Sequence, residues 1–413
     1  MTQGRNGLNV PNVLIIGAGG VGLACAHKAA QHAVELGDIT VASRTKTSAD
    51  DVVEHVRRRG SLKAGRKLAS ARVDAMDTSE VARLIRQSRA GIVINVASPF
   101  CNLSIQDACL ETGAHYIDTA VHEVEGRVNE PPPWYANYEW PRRGLFEQAG
   151  VTAILGCGFD PGAVNAFCAW AAKHRFDRID EIDIMDVNAG HHGRFFATNF
   201  DPETNLREIL EDVVYWEDGQ WKRIPHHSMH REYDFPEVGR HVIYAMGHDE
   251  VHSLAVHFKP KRVQFWMGFS EQYLRVFEVL EKLGLLSEQP VEVDGCHVKP
   301  LRLLKKLLPD PKSLAPDYSG EVCIGCLIKG IRDGEPGSIF IYSTCDHAAC
   351  YREIGAQAIS YTTAVPAVTA ALLIARGDWN VRRMVNVEEL DPDPFLELMP
   401  RLGIGWQVRE EGA

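Results

Sequence analysis

The run Val13-Leu-Ile-Ile-Gly17-Ala18-Gly19-Gly20-Val21-Gly22 constrains the fold of this chain more than any other stretch of it. An apolar strand leads into a G-x-G-x-x-G turn, and the helix-length segment Leu23–Glu35 follows. In that order Gly17 permits a tight turn, Gly19 lets the backbone approach a pyrophosphate, and Gly22 lets helix and strand pack closely. The free N–H groups of the helix start then face the anion. A glycine-rich turn with no ligand is the competing reading, and the flanking strand and helix argue against it.

The same rhythm continues. Short apolar runs at Val13–Ile16, Ile39–Ala42, Ala71–Val73, Ile92–Val96, Tyr116–Ile117 and Thr152–Leu155 alternate with helix-length segments. That alternation indicates βαβ units and a parallel sheet, an α/β Rossmann domain. The basic stretch Asp50–Leu68 reads as the solvated face of one of its helices. After about Ala172 the pattern turns to alternating strands such as Ile182–Val187 and Val263–Phe269. A long hairpin, Val322–Ile331 and Ser338–Cys345, flanks the turn Asp333–Gly337. These features predict a second, α+β domain with a mixed or antiparallel sheet. Asp201–Arg240, rich in turn-formers, histidines and aromatics, reads as an irregular excursion over a site or a dimer contact. The division expected is 1–157 for dinucleotide binding, 158–353 for substrate binding and dimerisation, and 354–413 returning to the first domain.

A chain of 413 residues exceeds what one core usually serves, consistent with two domains. Its net charge of −11 gives no electrostatic reason to expect nucleic acid or an anionic membrane as partner. Ten scattered cysteines fit reduced thiols in the cytoplasm rather than a disulfide framework. Ile359–Ala375, apolar but broken by threonines and Pro366, reads as a buried helix and not a membrane span.

Cofactor preference is written at the end of the second strand, Val41-Ala42-Ser43-Arg44-Thr45-Lys46. An acidic residue for a ribose 2′-hydroxyl is missing there. Ser43 and Lys46 offer donors and Arg44 a guanidinium that suits a 2′-phosphate, which favours NADPH. Asp74, after the third strand, is placed to meet adenine. Ala97-Ser98-Pro99-Phe100, after the fourth, lies on the nicotinamide side, because ligands gather at the carboxyl ends of parallel strands. In Gly156-Cys-Gly158-Phe159-Asp160-Pro161-Gly162, Asp160 reads both as an N-cap with Pro161 at the first helical position and as a carboxylate beside the nicotinamide.

Gly17–Gly22, Ala97–Phe100, Tyr116-Ile117-Asp118-Thr119, Gly158–Gly162 and Ser360-Tyr-Thr-Thr363 followed by Val365-Pro-Ala367 together resemble the saccharopine dehydrogenase (reductase) family. Phe200–Glu208, Arg262–Leu274, Leu308-Pro-Asp-Pro311, Ile324-Gly-Cys326 and Cys345–Arg352 narrow the resemblance, over nearly the whole chain, to its polyamine-forming branch. The resemblance implies an oxidoreductase in which aspartate β-semialdehyde condenses with 1,3-diaminopropane or putrescine. NADPH then reduces the imine to carboxynorspermidine or carboxyspermidine. It also implies small-molecule substrates, a homodimer, and Thr119 and Phe159 along the cofactor. A saccharopine-type enzyme of lysine metabolism and a non-catalytic NADPH-binding regulator are the alternatives.

Such chemistry needs a cation for the amino-acid carboxylate and acids for the amine. Arg207 is the first candidate for the former and Arg194 the second, each also readable as a structural ion-pair partner. Asp160 leads for the ammonium, followed by Asp118 and Glu208. His191 or His192 is a candidate proton shuttle by intrinsic pKa, though a surface role suits either. Trp266 reads as core or as a wall of the substrate cleft. No metal is expected: Cys323 and Cys326 lie in a strand, where neighbouring side chains alternate faces.

Overall fold

Apolar strands separated by one-sided helices build the N-terminal half, and the computed structural model, which describes residues 10–63, 65–124 and 130–412, shows how they stack. In chain order they are β1 (Asn12–Ile16), α1 (Gly20–Gln31), α2 (Ala33–Leu36), β2 (Ile39–Ser43), α3 (Lys46–Arg58) and β3 (Leu68–Arg72). There follow α4 (Thr78–Ser88), β4 (Ala90–Asn95), α5 (Asn102–Thr112), β5 (His115–Asp118), α6 (Arg143–Ala149) and β6 (Ala153–Leu155). The basic stretch behaves as its pattern requires. On α3, Ala49, Val52, Val53 and Val56 form the buried stripe while Arg57 and Arg58 stay on the wet side. At the start of α4, Asp77 accepts hydrogen bonds from the N–H groups of Ser79 and Glu80.

The second half contributes α7 (Ala163–His174), β7 (Arg178–Asn188), α8 (Pro202–Leu210), β8 (Val213–Glu217), β9 (Gln220–Ile224), β10 (His230–Phe235) and β11 (Gly239–Met246). Next come α9 (Asp249–Phe258), β12 (Arg262–Gly268), α10 (Glu271–Lys282), β13 (Val291–Val293), β14 (Cys296–Val298) and α11 (Pro300–Leu307). The chain closes with β15 (Glu321–Arg332), β16 (Glu335–Asp346), α12 (His347–Ile354), α13 (Ala358–Arg376), β17 (Met384–Asn386), α14 (Asp393–Leu398) and β18 (Gln407–Glu411).

The first sheet has seven strands in the order β17-β6-β5-β4-β1-β2-β3, all parallel. Strand order reverses between β1 and β4, which opens a crevice at their carboxyl ends, above Gly17 and Val96. The second sheet has nine strands, with β10-β11-β12-β7-β15-β16-β18 as its main path. It is mixed: β12 and β7 run parallel, and the other pairs antiparallel. Between β15 and β16 the turn is Asp333-Gly334, both with positive φ, the two-residue geometry that matches strand twist.

Two expectations from the sequence need correction. Asp201–Arg240 is not irregular; it forms α8 and then a pair of hairpins, because its polar residues alternate with apolar ones at strand period. The tail is also divided. Helix α13 and β17 join the first layer, but β18 pairs with β16, where it covers an edge and lays Arg409 over the rings of Tyr233 and Phe340. Helix α13 is long and apolar enough to cross a membrane, yet 83% of its most apolar window is buried within the fold. One continuous core runs from α1 and α13 through α7 to one face of the second sheet, through Ile184, Phe265 and Cys326.

Candidate active site

At the crevice the glycine positions are set by contact. A Cβ on Gly17, whose φ is +119°, would run into the Val96 carbonyl, and one on Gly22 would strike the Gly17 carbonyl. A Cβ on Gly19 would meet nothing within 4 Å, so that side of the turn is open for a close-approaching group. These residues fit a dinucleotide pyrophosphate. Ala18 and Val21 shape the same turn. Ser43 is half-buried at the end of β2, whereas Arg44 and Lys46 are exposed beside it. Lys46 pairs with Asp50 and donates to Ser70 Oγ at 2.8 Å.

Further along the strand ends, Asp74 accepts from Met76 N–H at 3.1 Å. Ala97 N–H is held by Asn95 Oδ1 at 3.1 Å, and Ser98, Pro99 and Phe100 begin the turn above β4. Thr119 lies against Gly158, whose Cβ would sit 3.4 Å from the threonine Cβ.

The loop after β6 decides the role of Asp160. Helix α7 starts at Ala163, and its cap position is Gly162, with φ +135° and a hydrogen bond from its N–H to Asn165 Oδ1 at 2.8 Å. Asp160 is therefore not the N-cap and Pro161 not the first helical residue. A side chain on Gly162 would collide with the Gly158 backbone, so the loop closes tightly on itself. The Asp160 carboxylate is left facing Asp186, His248 and Glu250.

Around it lies an acidic cleft built from three elements. β7 supplies Asp186 from the face that also carries Ile184. The start of α9 supplies His248, Asp249 and Glu250, and α8 supplies Glu208 with Glu211 just beyond its end. His248 stacks on Phe265 with centroids 4.1 Å apart, and its Nδ1 meets Glu250 Oε2 at 2.5 Å. Burial opposes charge on this imidazole, but Glu250, Asp160 and Asp249 outweigh it and hold its pKa well above the usual range. These carboxylates thus favour the protonated form of His248.

The acids respond in the opposite sense. Burial, reinforced by Asp186 and Glu250, raises Asp160 well above the carboxylate range. Burial and then Glu250, working against His248, lift Asp186 to about 7. Burial with Asp249 and Glu211 takes Glu208 to about 7, and burial lifts Asp249 to about 6. Among the described residues, Asp186 Oδ1 and Glu250 Oε1 are buried without a hydrogen-bond partner. Buried acceptors without partners are costly, and a cationic donor is what this arrangement lacks.

The other candidates fall variously. Arg207 is buried over the Phe100 ring, 5.3 Å from its centroid, and is ion-paired with Glu123, so it reaches the nicotinamide-side turn already half-satisfied. Arg194 is exposed. His192 packs its ring edge on Tyr318 and accepts from Arg194 N–H at 3.1 Å; His191 is exposed. Asp118 is buried and accepts Gly156 N–H at 2.7 Å, which ties β5 to the loop, and Asp249 is among its charged neighbours. Phe159 is buried in the core, edge-on to Phe167. Trp266 points to the opposite face of the second sheet, in the cluster with Met185, and donates to Asp183 at 3.0 Å. Cys323 and Cys326 lie on opposite faces of β15, one in each hydrophobic cluster.

Asp186, Glu211 and the run His248-Asp249-Glu250 escaped the sequence reading. A readable signal existed: three ionisable residues opening an apolar-striped helix, and an aspartate on the apolar face of an alternating strand.

Comparison with known proteins identifies the family and the fold. Residues 13–154 match the saccharopine dehydrogenase NADP binding domain, and 158–404 the saccharopine dehydrogenase C-terminal domain. A carboxynorspermidine synthase of Vibrio alginolyticus is 49% identical over 400 residues, 96% of this chain and 97% of that protein. A carboxyaminopropylagmatine dehydrogenase of Synechocystis is 44% identical over 95% of this chain and 96% of its own length. Among solved structures, saccharopine dehydrogenase (L-Glu forming) from Saccharomyces cerevisiae superposes with a TM-score of 0.69 at 14% identity, covering 97% of this chain and 100% of that one, which shows a shared fold.

Proposed function

This chain belongs to the saccharopine dehydrogenase family, and from that premise we propose that it is the NADPH-dependent oxidoreductase that joins L-aspartate β-semialdehyde to a diamine, 1,3-diaminopropane or putrescine, giving carboxynorspermidine or carboxyspermidine in polyamine biosynthesis. The observation that carries the reading is the acidic cleft with its unpartnered Asp186 and Glu250 oxygens, a site suited to a polycation. The carboxynorspermidine synthase of Vibrio cholerae, 47% identical, supports the same reaction class.

The residues divide the work. In its ionised form Asp160, whose raised pKa makes it a stronger base than an ordinary carboxylate, takes a proton from the substrate ammonium and leaves a nucleophilic amine to attack the aldehyde carbon. His248, held as a cation, donates a proton to the departing hydroxyl of the carbinolamine, so that water leaves and a protonated imine remains. His192 and His191, the shuttles proposed from sequence, lie outside this cluster. Asp186, Glu208 and Asp249 hold the distal ammonium, and Arg207, beside Phe100, orients the amino-acid carboxylate. When bound, NADPH supplies the hydride. Gly17–Gly22 hold its pyrophosphate, Ser43, Arg44 and Lys46 its 2′-phosphate end, Asp74 the adenine side, and Ala97–Phe100 with Thr119 the nicotinamide side.

Residues 158–353 form the substrate-binding and dimerisation unit in this reading. A homodimer would cover the exposed apolar residues of the stretch from α10 to α11, Val279, Leu283, Val291, Val293, Leu303 and Leu307. The free cysteines suit the cytoplasm. A purified sample supplied with NADPH, aspartate semialdehyde and either diamine tests the assignment. Oxidation that depends on the amine and prefers NADPH to NADH is expected, and no oxidation with either diamine would sink it. The Synechocystis relative makes an agmatine-ended amine the comparison substrate to include.

A further inference from the structure

The segment Leu308-Pro-Asp-Pro311 and the residues after it take no part in the amine cleft, yet the chain builds them with care. Asp310 accepts Lys312 N–H at 2.9 Å, and its carbonyl receives both the Ser313 N–H at 2.8 Å and the Ser313 hydroxyl at 2.7 Å. Pro311 opens the short 3-10 helix Pro311–Asp317, and Tyr318 closes it. Tyr318 is fixed in turn: it stacks on His347 at 3.6 Å, accepts from Asn188 at 2.7 Å and donates to Asn199 at 2.7 Å. The backbone at Lys312 is therefore anchored at both ends.

What this anchoring holds in place is an ammonium. Lys312 Nζ reaches across from the second domain and donates to the carbonyl of Ala18 at 2.5 Å, inside the G-x-G-x-x-G turn. Its stem passes the outer side of Gly20, where a Cβ would stand 4.0 Å from Lys312 Cγ and collide with the Ser360 hydroxyl. Among the described residues the Ala18 carbonyl is its sole hydrogen-bond acceptor, and no carboxylate is within ion-pair distance. A lysine carries three N–H donors and a full charge, so one neutral carbonyl leaves most of its capacity unused. On the same turn, next to Ala18, the side of Gly19 is open, since a Cβ there would meet nothing within 4 Å.

We propose that Lys312 is a ligand of the cofactor pyrophosphate, supplied to the Rossmann turn by the second domain. The inference rests on the dinucleotide reading of that turn and adds a charged residue that the turn's own sequence does not contain. Neutral backbone N–H groups cradle the phosphates, and Lys312 is the point charge that balances them. Two consequences follow. Affinity for any ligand containing the pyrophosphate depends on Lys312, independently of the 2′-phosphate that Arg44 addresses. Cofactor binding also adds one contact between the second domain and the ligand of the first, beside the core that the two already share.

Titration calorimetry on the full-length Lys312→Met protein, with Lys312→Arg alongside, tests the proposal. The ligands are NADPH, NADH, adenosine diphosphate ribose and adenosine 2′-monophosphate. Loss of one charge-assisted contact weakens the first three alike, by about tenfold to a hundredfold, and leaves the monophosphate unchanged. Arginine at the position retains most of the affinity. The apo melting temperature establishes that each variant is folded. Adenosine diphosphate ribose binding Lys312→Met as tightly as wild type overturns the proposal, as does equal weakening of the monophosphate, which would mark a general distortion. Failure of the wild type to bind adenosine diphosphate ribose removes the dinucleotide reading itself, a different result from a variant that binds normally.

Discussion

Asp186→Asn should stabilise the protein while damaging its activity, and the opposite signs make it a sharp test of the cleft. The carboxylate sits on β7 among Asp160, Glu250 and His248, with Oδ1 unpartnered and its pKa lifted from the ordinary aspartate range to about 7. A lift of that size disfavours the ionised folded state by on the order of 4 kcal/mol at pH 8. Much of this belongs jointly to Asp186 and its acidic neighbours. Neutralising one partner should return about 1–2 kcal/mol, a rise in melting temperature of roughly 1–2 °C for a chain of this length. The amide keeps the shape, so packing is unchanged.

The same substitution removes a charged acceptor from the ammonium. One charge-assisted hydrogen bond contributes about 1.5–3 kcal/mol, so KM for the diamine should rise by roughly tenfold to a hundredfold. KM for NADPH should not move. Thermal melting of the apo protein and initial rates at varied diamine check both halves. A variant less stable than wild type at pH 8, or one with wild-type diamine KM, would refute the reasoning, because an acid serving only structure loses stability when neutralised.

The folded apo protein holds protons on Asp186, Glu208 and Asp249 that the unfolded chain releases near pH 4, so their contribution to stability should fall as pH rises from about 4 to about 7; melting curves of the wild type and of an Asp186→Asn, Glu208→Gln, Asp249→Asn variant, compared across that range, check the sign by their difference. Diamines bind the ionised acids, so the stabilisation they confer should be larger at pH 8 than at pH 6. His248→Asn should lower kcat by roughly a hundredfold with KM for NADPH unchanged, since it removes the proton donor but leaves the crevice intact. Arg44→Ala should raise KM for NADPH by about tenfold or more and leave NADH nearly untouched. Trp266→Phe should lower the melting temperature through loss of its bond to Asp183, a decrease of about 1 kcal/mol, without altering any KM.

Where local chemistry determines structure, the sequence was legible. The glycine turn, the parallel strands and the basic face of α3 follow from spacing and periodicity, and the structure places them within a few residues of expectation. The amine cleft was legible only in part, because Asp160, Asp186, Glu208 and His248 come from four separate segments joined by tertiary folding. Asp160 was found from its strand-end position, yet its expected cap role fails. Gly162 takes the cap instead, since only a residue without a side chain fits against the Gly158 backbone. Trp266 was ambiguous because strand periodicity says that neighbours face opposite ways but not which face meets the cleft.

Charge in the cleft also separates the two enzymatic readings of the family. A saccharopine-type reaction brings a dicarboxylate amino acid to the imine as the amine partner. Here Asp160, Asp186, Glu208, Glu211, Asp249 and Glu250 gather with one imidazolium among them, and Arg207 is already paired with Glu123. A second carboxylate on the amine partner would enter beside like charges in a poorly solvated site, an arrangement that costs several kcal/mol. A diamine meets the same groups as counter-charges and supplies the donors that the Asp186 and Glu250 oxygens lack. The reading therefore requires glutamate to be a far poorer co-substrate than either diamine at equal concentration. Comparable rates with glutamate would mean that the acids are protonated and silent during turnover, and that amine selection resides elsewhere.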